Sequence, residues 1–207
     1  MIKKALFPAL FLCLSLASQA QINVYMGGNL RGSVTTIRGD ETTSNPGIGV
    51  GASFVYWEFE YWFLKTGLDY YYRTSSILDY PDVFGVDPVG PDDKIRITYV
   101  EHAAGVPISW YFRPFESGGN TLLVTASLNT LIVAGFKASS EEYGEAALKG
   151  TDVKQRVKAN LGLGVGYQRQ LDKHMFLNIV PSYNMDLRGD KTFNSFTITA
   201  ELIFGVY

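Results

Sequence analysis

Hydrophobic and polar positions alternate along most of this chain, most cleanly at its end. From Asn194 to Tyr207, Phe196, Ile198, Ala200, Leu202, Phe204 and Val206 share one parity. Ser195, Thr197, Thr199, Glu201, Gly205 and Tyr207 share the other, with Ile203 as the one aliphatic exception. A period of two predicts a β-strand with one apolar and one polar face. The same rhythm predicts strands over Ile22 to Arg31, Gly47 to Trp57, about Tyr61 to Thr74, Ile95 to Phe112, Thr121 to Lys137, Val153 to Gln170 and Met175 to Arg188. In the fifth of these, Leu122, Val124, Ala126, Leu128, Ile132, Ala134 and Phe136 oppose Thr125, Ser127 and Asn129, but Leu123, Leu131 and Val133 also fall on the polar parity.

Eight strands result. Ser33 to Pro46, Ser75 to Lys94 and Ala138 to Asp152 read as long polar loops. The turns near Glu58, Pro114 to Gly119 and Leu171 to Lys173 are short, and Gly189 to Thr192 is of moderate length. Long and short connections alternate, as in an all-β, antiparallel, up-and-down transmembrane barrel of eight strands, with both termini on the short-turn side. A closing strand that ends the chain suits such a barrel, because the last strand must pair with the first. Trp57, Trp62, Trp110, Tyr111 and Tyr167 gather at the short-turn end, where an interfacial aromatic girdle is expected. Pro107 and Pro181 fall inside strands and should each require a bulge or kink. His102 shares the apolar parity of Val100, Ala104 and Val106, which implies either a position near an interface or a slip of register nearby.

The N-terminus adds a compartment. Lys3 and Lys4 precede an apolar run from Ala5 to Leu16, and Ser18-Gln19-Ala20 offers small residues for cleavage before Gln21. Residues 1–20 thus read as a secretory signal and 21–207 as the barrel domain. The apolar run is shorter than the ~20 residues a helix needs to cross a bilayer. Cys13, the single cysteine, leaves with the signal, so no disulfide or thiolate chemistry is expected in the mature chain. Loss of Lys3 and Lys4 makes the net charge about −4, which argues against nucleic-acid binding. No later stretch is apolar and long enough for a membrane helix. An exported chain of this kind can enter a membrane only as a closed barrel.

The polar parity collects Arg31, Lys65, Asp69, Arg73, Glu101, Arg156, Lys158, Asp186, Arg188 and Glu201. An eight-stranded lumen is narrow enough for side chains to fill, and charges buried there must pair. Glycines 47, 49, 51, 162, 164 and 166 leave room for long chains from across the barrel. These charges read as a salt-bridge plug; a gated conduit or small-ligand site is the sharper alternative. His102 has no neighbouring acid on its own face, His174 sits in a predicted short turn, and no Ser/His/Asp order or two-histidine spacing stands out, so neither a catalytic triad nor a metal set is expected. Asp79, Asp82, Asp87, Asp92 and Asp93 lack calcium-loop spacing and read as a solvated acidic loop. No cofactor is expected.

The chain also resembles the small outer-membrane β-barrel family of Bacteroidota that includes PorT-like proteins. The resemblance rests on Ser18-Gln19-Ala20-Gln21, on Tyr99-Val100-Glu101 with Val106-Pro107-Ile108 and Trp110-Tyr111-Phe112, on Gly162-Leu163-Gly164-Val165-Gly166-Tyr167, and on the closing strand. It implies an integral outer-membrane barrel with no catalytic residues. The expected function is therefore non-enzymatic, with outward loops for structural or interaction roles. The expected partners are outer-membrane lipids, the barrel-assembly machinery and other envelope proteins. Two alternatives are a soluble periplasmic lipocalin-like barrel holding an apolar ligand, and a PorT-like component of a secretion machinery. A lipocalin-like barrel would need its apolar face inside.

Overall fold

The computed structural model describes residues 24–38, 40–88, 90, 92–147, 157–187 and 192–206. The expected signal peptide, Arg156, Arg188 and the side chain of Trp57 lie outside what is described. The strands are β1 (Val24–Ile37), β2 (Asp40–Glu58), β3 (Trp62–Asp79), β4 (Ile95–Ser117), β5 (Asn120–Ser140), β6 (Gly144–Ala147), β7 (Val157–Asp172), β8 (Met175–Asp186) and β9 (Phe193–Val206), with a short 3-10 turn at Pro81–Phe84. All ladders are antiparallel. Each strand of the ring pairs with the next, and β9 returns to β1 from Val24↔Val206 to Ile37↔Phe193. The four-residue β6 folds back on the end of β5 and lies outside the ring. The expected eight-stranded barrel is thus the observed one, with one extra hairpin.

The strands run further than the alternation suggested. Ser33 to Pro46, expected as a loop, instead carries β1 and β2 onward as a paired hairpin, with Ser33↔Gly47 and Thr35↔Asn45 in register. Likewise β3 continues to Asp79 and β5 to Ser140. Beyond an apolar belt a strand has no reason to stay apolar outside, so the hydrophobic signal stops while the hydrogen-bond ladder goes on.

Phase follows the expected parity. Leu30, Leu68, Val106, Ile108, Leu163, Val165, Ile198 and Phe204 are exposed on the outside, whereas Asn29, Asp69, Glu101, Ser109, Asn160 and Glu201 are buried. The exception is Phe136, expected outside but buried at 6% exposure. Its cause is a bulge: the β4–β5 register steps from His102↔Gly135 to Ala103↔Val133, so one extra β5 residue reverses the parity beyond it. The slip anticipated near His102 therefore falls at His102 itself. That histidine stays outside, its Nδ1 2.5 Å from the Tyr70 hydroxyl.

No bulge forms at either proline. On one side, Pro107 and Pro181 pair in register with Asn129 and Ile198. On the other, the ladder passes from Thr66↔Ile108 to Asp69↔Gly105, and from Gly164↔Ser182 to Tyr167↔Ile179, skipping the rungs beside each proline without a shift. The missing N–H is met by a local gap in the ladder.

The barrel interior is layered. A buried apolar collar that includes Ile37, Ile77, Ile97, Tyr99, Phe136 and Phe193 sits at the loop end. A second, of Val55, Phe63, Tyr111, Leu123, Val180 and Ile203, sits at the short-turn end. Polar side chains occupy the space between. Leu123, Val133 and Ile203, which broke the alternation in the sequence, are collar residues.

The phase can be tested on β7. Leu163 is 54% exposed and Asn160 5%. Leu163→Arg is expected to lower the stability of the barrel in bilayers by ~2–4 kcal/mol, the cost of arginine at the midplane of a barrel's lipid face. A bimane dye on a cysteine at position 163 should be quenched by brominated lipids, and one at position 160 should not. Quenching at 160 instead would reverse the inside-outside assignment.

Candidate functional site: the interior ion-pair network

Eight of the ten charged residues expected in the interior fall among the described residues, and all eight form ion pairs there. They make three groups. On β1 and β3, Arg31 Nη2 lies 2.7 Å from Asp69 Oδ2. Asn29 Nδ2 donates to Asp69 Oδ1 at 3.2 Å and the Tyr71 hydroxyl to Asp69 Oδ2 at 3.1 Å, while Arg31 donates to Tyr71. Arg31 and Asn29 share a strand parity and meet their partners on β3 across β2.

The second group faces the short-turn end. Lys65 Nζ reaches both oxygens of Glu201, at 2.7 and 2.8 Å. Ser53 donates to Oε1 at 2.6 Å and Asn178 to Oε2 at 3.1 Å, so the carboxylate is held from β2, β3 and β8 at once. Gln168 in turn donates to Asn178 at 2.9 Å. The Lys65 ammonium also lies 4.8 Å from the centre of the Tyr111 ring, an attraction that strengthens when water is excluded.

The third group lies toward the loop end. Arg73 bridges two acids: Nε donates to Glu101 at 3.0 Å and Nη1 to Asp186 at 2.8 Å. Lys158 pairs with Glu101, and Asn160 donates to Asp186 at 3.1 Å. Arg73 sits over the Phe193 ring of the upper collar at 4.8 Å. A planar guanidinium with fixed donors suits such a two-carboxylate bridge better than an ammonium would.

Long side chains need space opposite. A Cβ on Gly51 would lie 1.9 Å from Asp69 Oδ1, and one on Gly162 would lie 2.4 Å from both Asn184 Oδ1 and Ser127 Oγ. At these two positions the room serves short polar side chains on the directly paired strands, Gly51↔Asp69, Ser127↔Gly162 and Gly162↔Asn184, and not the long chains from across the barrel that the sequence reading expected.

The girdle residues divide. Trp62 stacks on Phe59 at 4.1 Å, Trp110 is exposed and stacks on Phe112, and Tyr167 is exposed and donates to Asn120. Tyr111 does not belong with them. It is 6% exposed and stacks inside on Phe63 at 4.6 Å. It has the right height for the girdle but the parity of Ser109 and Glu101, and parity decides the face. Asn29, Ser53, Tyr71 and Asn178, which help complete the hydrogen bonding of the buried acids, were not singled out from the sequence. Their shared parity with the charges was the available signal. Among the described residues, no group of three His, Cys, Asp or Glu is placed to hold a metal ion.

The arrangement defines a class: a closed, eight-stranded barrel of the outer-membrane type, apolar outside and paired inside. Comparison with solved structures agrees on the fold. The chain is similar to Neisserial surface protein A, with TM-score 0.53 and 12% identity over 88% of this chain and 97% of that one. It is similar also to the outer membrane protein OprG from Pseudomonas aeruginosa, with TM-score 0.51 and 11% identity over 91% of this chain and 98% of that one. No family model and no curated protein sequence matches.

The Lys65–Glu201 pair gives a direct test. Lys65→Met strands a buried carboxylate and is expected to cost ~3–5 kcal/mol, whereas Lys65→Met with Glu201→Gln should recover most of it. Urea unfolding in detergent micelles reads both. Additive losses in the double variant would mean that the two charges do not act as a pair.

Proposed function

We propose that the protein is an integral outer-membrane barrel, non-enzymatic, whose interior is plugged by side chains and whose loops serve structural or interaction roles. The observation that carries this is the outward apolar belt on a ring with no free edge. Such a surface needs lipid around it, and a ring without an edge is the form in which strands can cross lipid. The interior charges of Arg31, Lys65, Arg73 and Lys158 are matched by Asp69, Glu101, Asp186 and Glu201, which suits a plug rather than a charged conduit. The soluble lipocalin-like alternative has its apolar face on the wrong side for this barrel. The partners that follow are outer-membrane lipids and the barrel-assembly machinery. A role in a secretion machinery rests on the family resemblance, and copurification of envelope proteins from native membranes tests it.

The protein should fractionate with outer membranes, require detergent for extraction, and migrate differently on gels with and without heating. Release into the soluble periplasmic fraction would overturn the membrane reading. In planar bilayers the purified protein should show no large, steady channels, because a filled eight-stranded lumen leaves no continuous aqueous path. Reproducible open conductance would make the charged parity a conduit.

A further inference from the structure

The outer face of β3, β4 and β5 changes character at one level. Between the Trp62↔Phe112 rung and the Tyr72↔His102 rung, these strands place no Lys, Arg, Asp or Glu outward. Leu68, Tyr70, Ile108, Leu128 and Ile132 are exposed there instead. Ten residues of β3 separate the two rungs. At ~3.3 Å per residue and a tilt of ~40°, they span about 25 Å of height, which is the height of a membrane barrel's apolar band. The Tyr72↔His102 rung therefore falls at the loop-side edge of that band.

Polar and basic groups collect at this edge. The Tyr70 hydroxyl lies 2.5 Å from His102 Nδ1, and the Tyr72 ring meets the imidazole edge-on with centres 5.1 Å apart. An imidazole is costly in hydrocarbon and is tolerated where it reaches an interface. Just above it on β5, Lys137 pairs in register with Val100, and its side chain is 54% exposed. It is the first charged side chain on the outward face of the three strands above that rung. The β5 bulge puts it there, because the extra residue that turns Phe136 inward turns Lys137 outward. Glu145 lies 3.7 Å from the Lys137 ammonium, and higher on the same face Glu41 lies 3.7 Å from Arg96. Exposed pairs at such distances hold a cation only weakly.

We propose that Tyr70, Tyr72, His102 and Lys137 seat the headgroup of an anionic phospholipid in the loop-side leaflet, with Lys137 contacting its phosphate. The acyl chains lie below, on Leu68 and Ile132. An ammonium on a flexible stem suits a phosphate at the membrane surface, and tyrosine rings with a polar tip suit the same level. A free phosphate has nothing to lay on the apolar belt, so the lipid is the occupant. The proposal rests on the membrane reading above and adds to it a place and a headgroup chemistry.

The test uses the full chain purified in neutral detergent. Native mass spectrometry compares phosphatidic acid, which carries a phosphate monoester, with phosphatidylcholine of the same acyl chains. The unaltered barrel should prefer phosphatidic acid by about fivefold or more, and Lys137→Gln should weaken that binding by about fivefold, the effect of one basic residue at a membrane surface. Lys137→Arg should retain it. Arg169→Gln removes an exposed cation at the turn end, beyond the reach of screened charge, and should change it by less than about twofold. Inorganic phosphate should not displace the lipid. Lys137 is exposed, and heat-dependent gel migration verifies that each variant is folded. No preference for phosphatidic acid, no loss in Lys137→Gln, an equal loss in Arg169→Gln, or displacement by inorganic phosphate would each overturn the proposal. A chain that stays soluble without detergent would overturn the membrane reading itself, whereas a detergent-requiring barrel indifferent to Lys137 would overturn the lipid seat alone.

Discussion

Closure of the ring is the constraint from which the rest of the structure follows. The β1–β9 ladder uses all 14 residues of β1. In hydrocarbon an unpaired backbone group costs several kcal/mol, so a sheet that leaves an edge open there has no stable form. Eight strands close into a ring whose inside is narrow. Half of every strand must then fill that narrow space while the other half forms the apolar outside. The alternation read from the sequence is the imprint of this one requirement repeated on each strand.

A narrow interior explains the ion pairs without making them a source of stability. Burying two charges costs much of what their attraction returns, and well-packed apolar replacements are often as stable. Their clearer effect is on register. If β7 slipped by one residue, Lys158 and Asn160 would join the apolar outer face and Leu161 and Leu163 would crowd the inside. Charge on the inner parity makes every such slip expensive, and the three groups together join β1, β2, β3, β4, β7, β8 and β9. The paired interior thus selects one closed ring among the staggered ones that the backbone alone would accept.

The strands, their order, the inside parity and eight of the interior charges were legible in the sequence because each depends on a period of two. What could not be read depends on something else. The polar ends of β1, β2, β3 and β5 lie where the outside no longer needs to be apolar, so the periodic signal vanishes while the strands persist. Phe136 changed face through one extra residue in β5, which no local pattern announces. Tyr111 was assigned by its height along the strand, but its face is set by parity. The collars were visible only as blemishes: Leu123, Val133 and Ile203 are apolar residues on a polar parity. Each blemish is ambiguous on one strand and becomes a layer when several strands place them at the same two levels.

The same reasoning explains how a chain can share this fold with Neisserial surface protein A and OprG at 12% and 11% identity. A membrane ring asks for parity, turns and closure, and many residues satisfy each position. Fold similarity of this kind therefore carries no specific role with it. What distinguishes one such barrel from another must lie where the ring requirement is silent, in the connections and in the inner layers. In this chain those places coincide at the loop end. The segment carrying Val83 and Phe84 is both a connection between strands and part of the packing on the loop-end collar, so a change there would alter that inner layer while leaving the ladders that define the fold untouched.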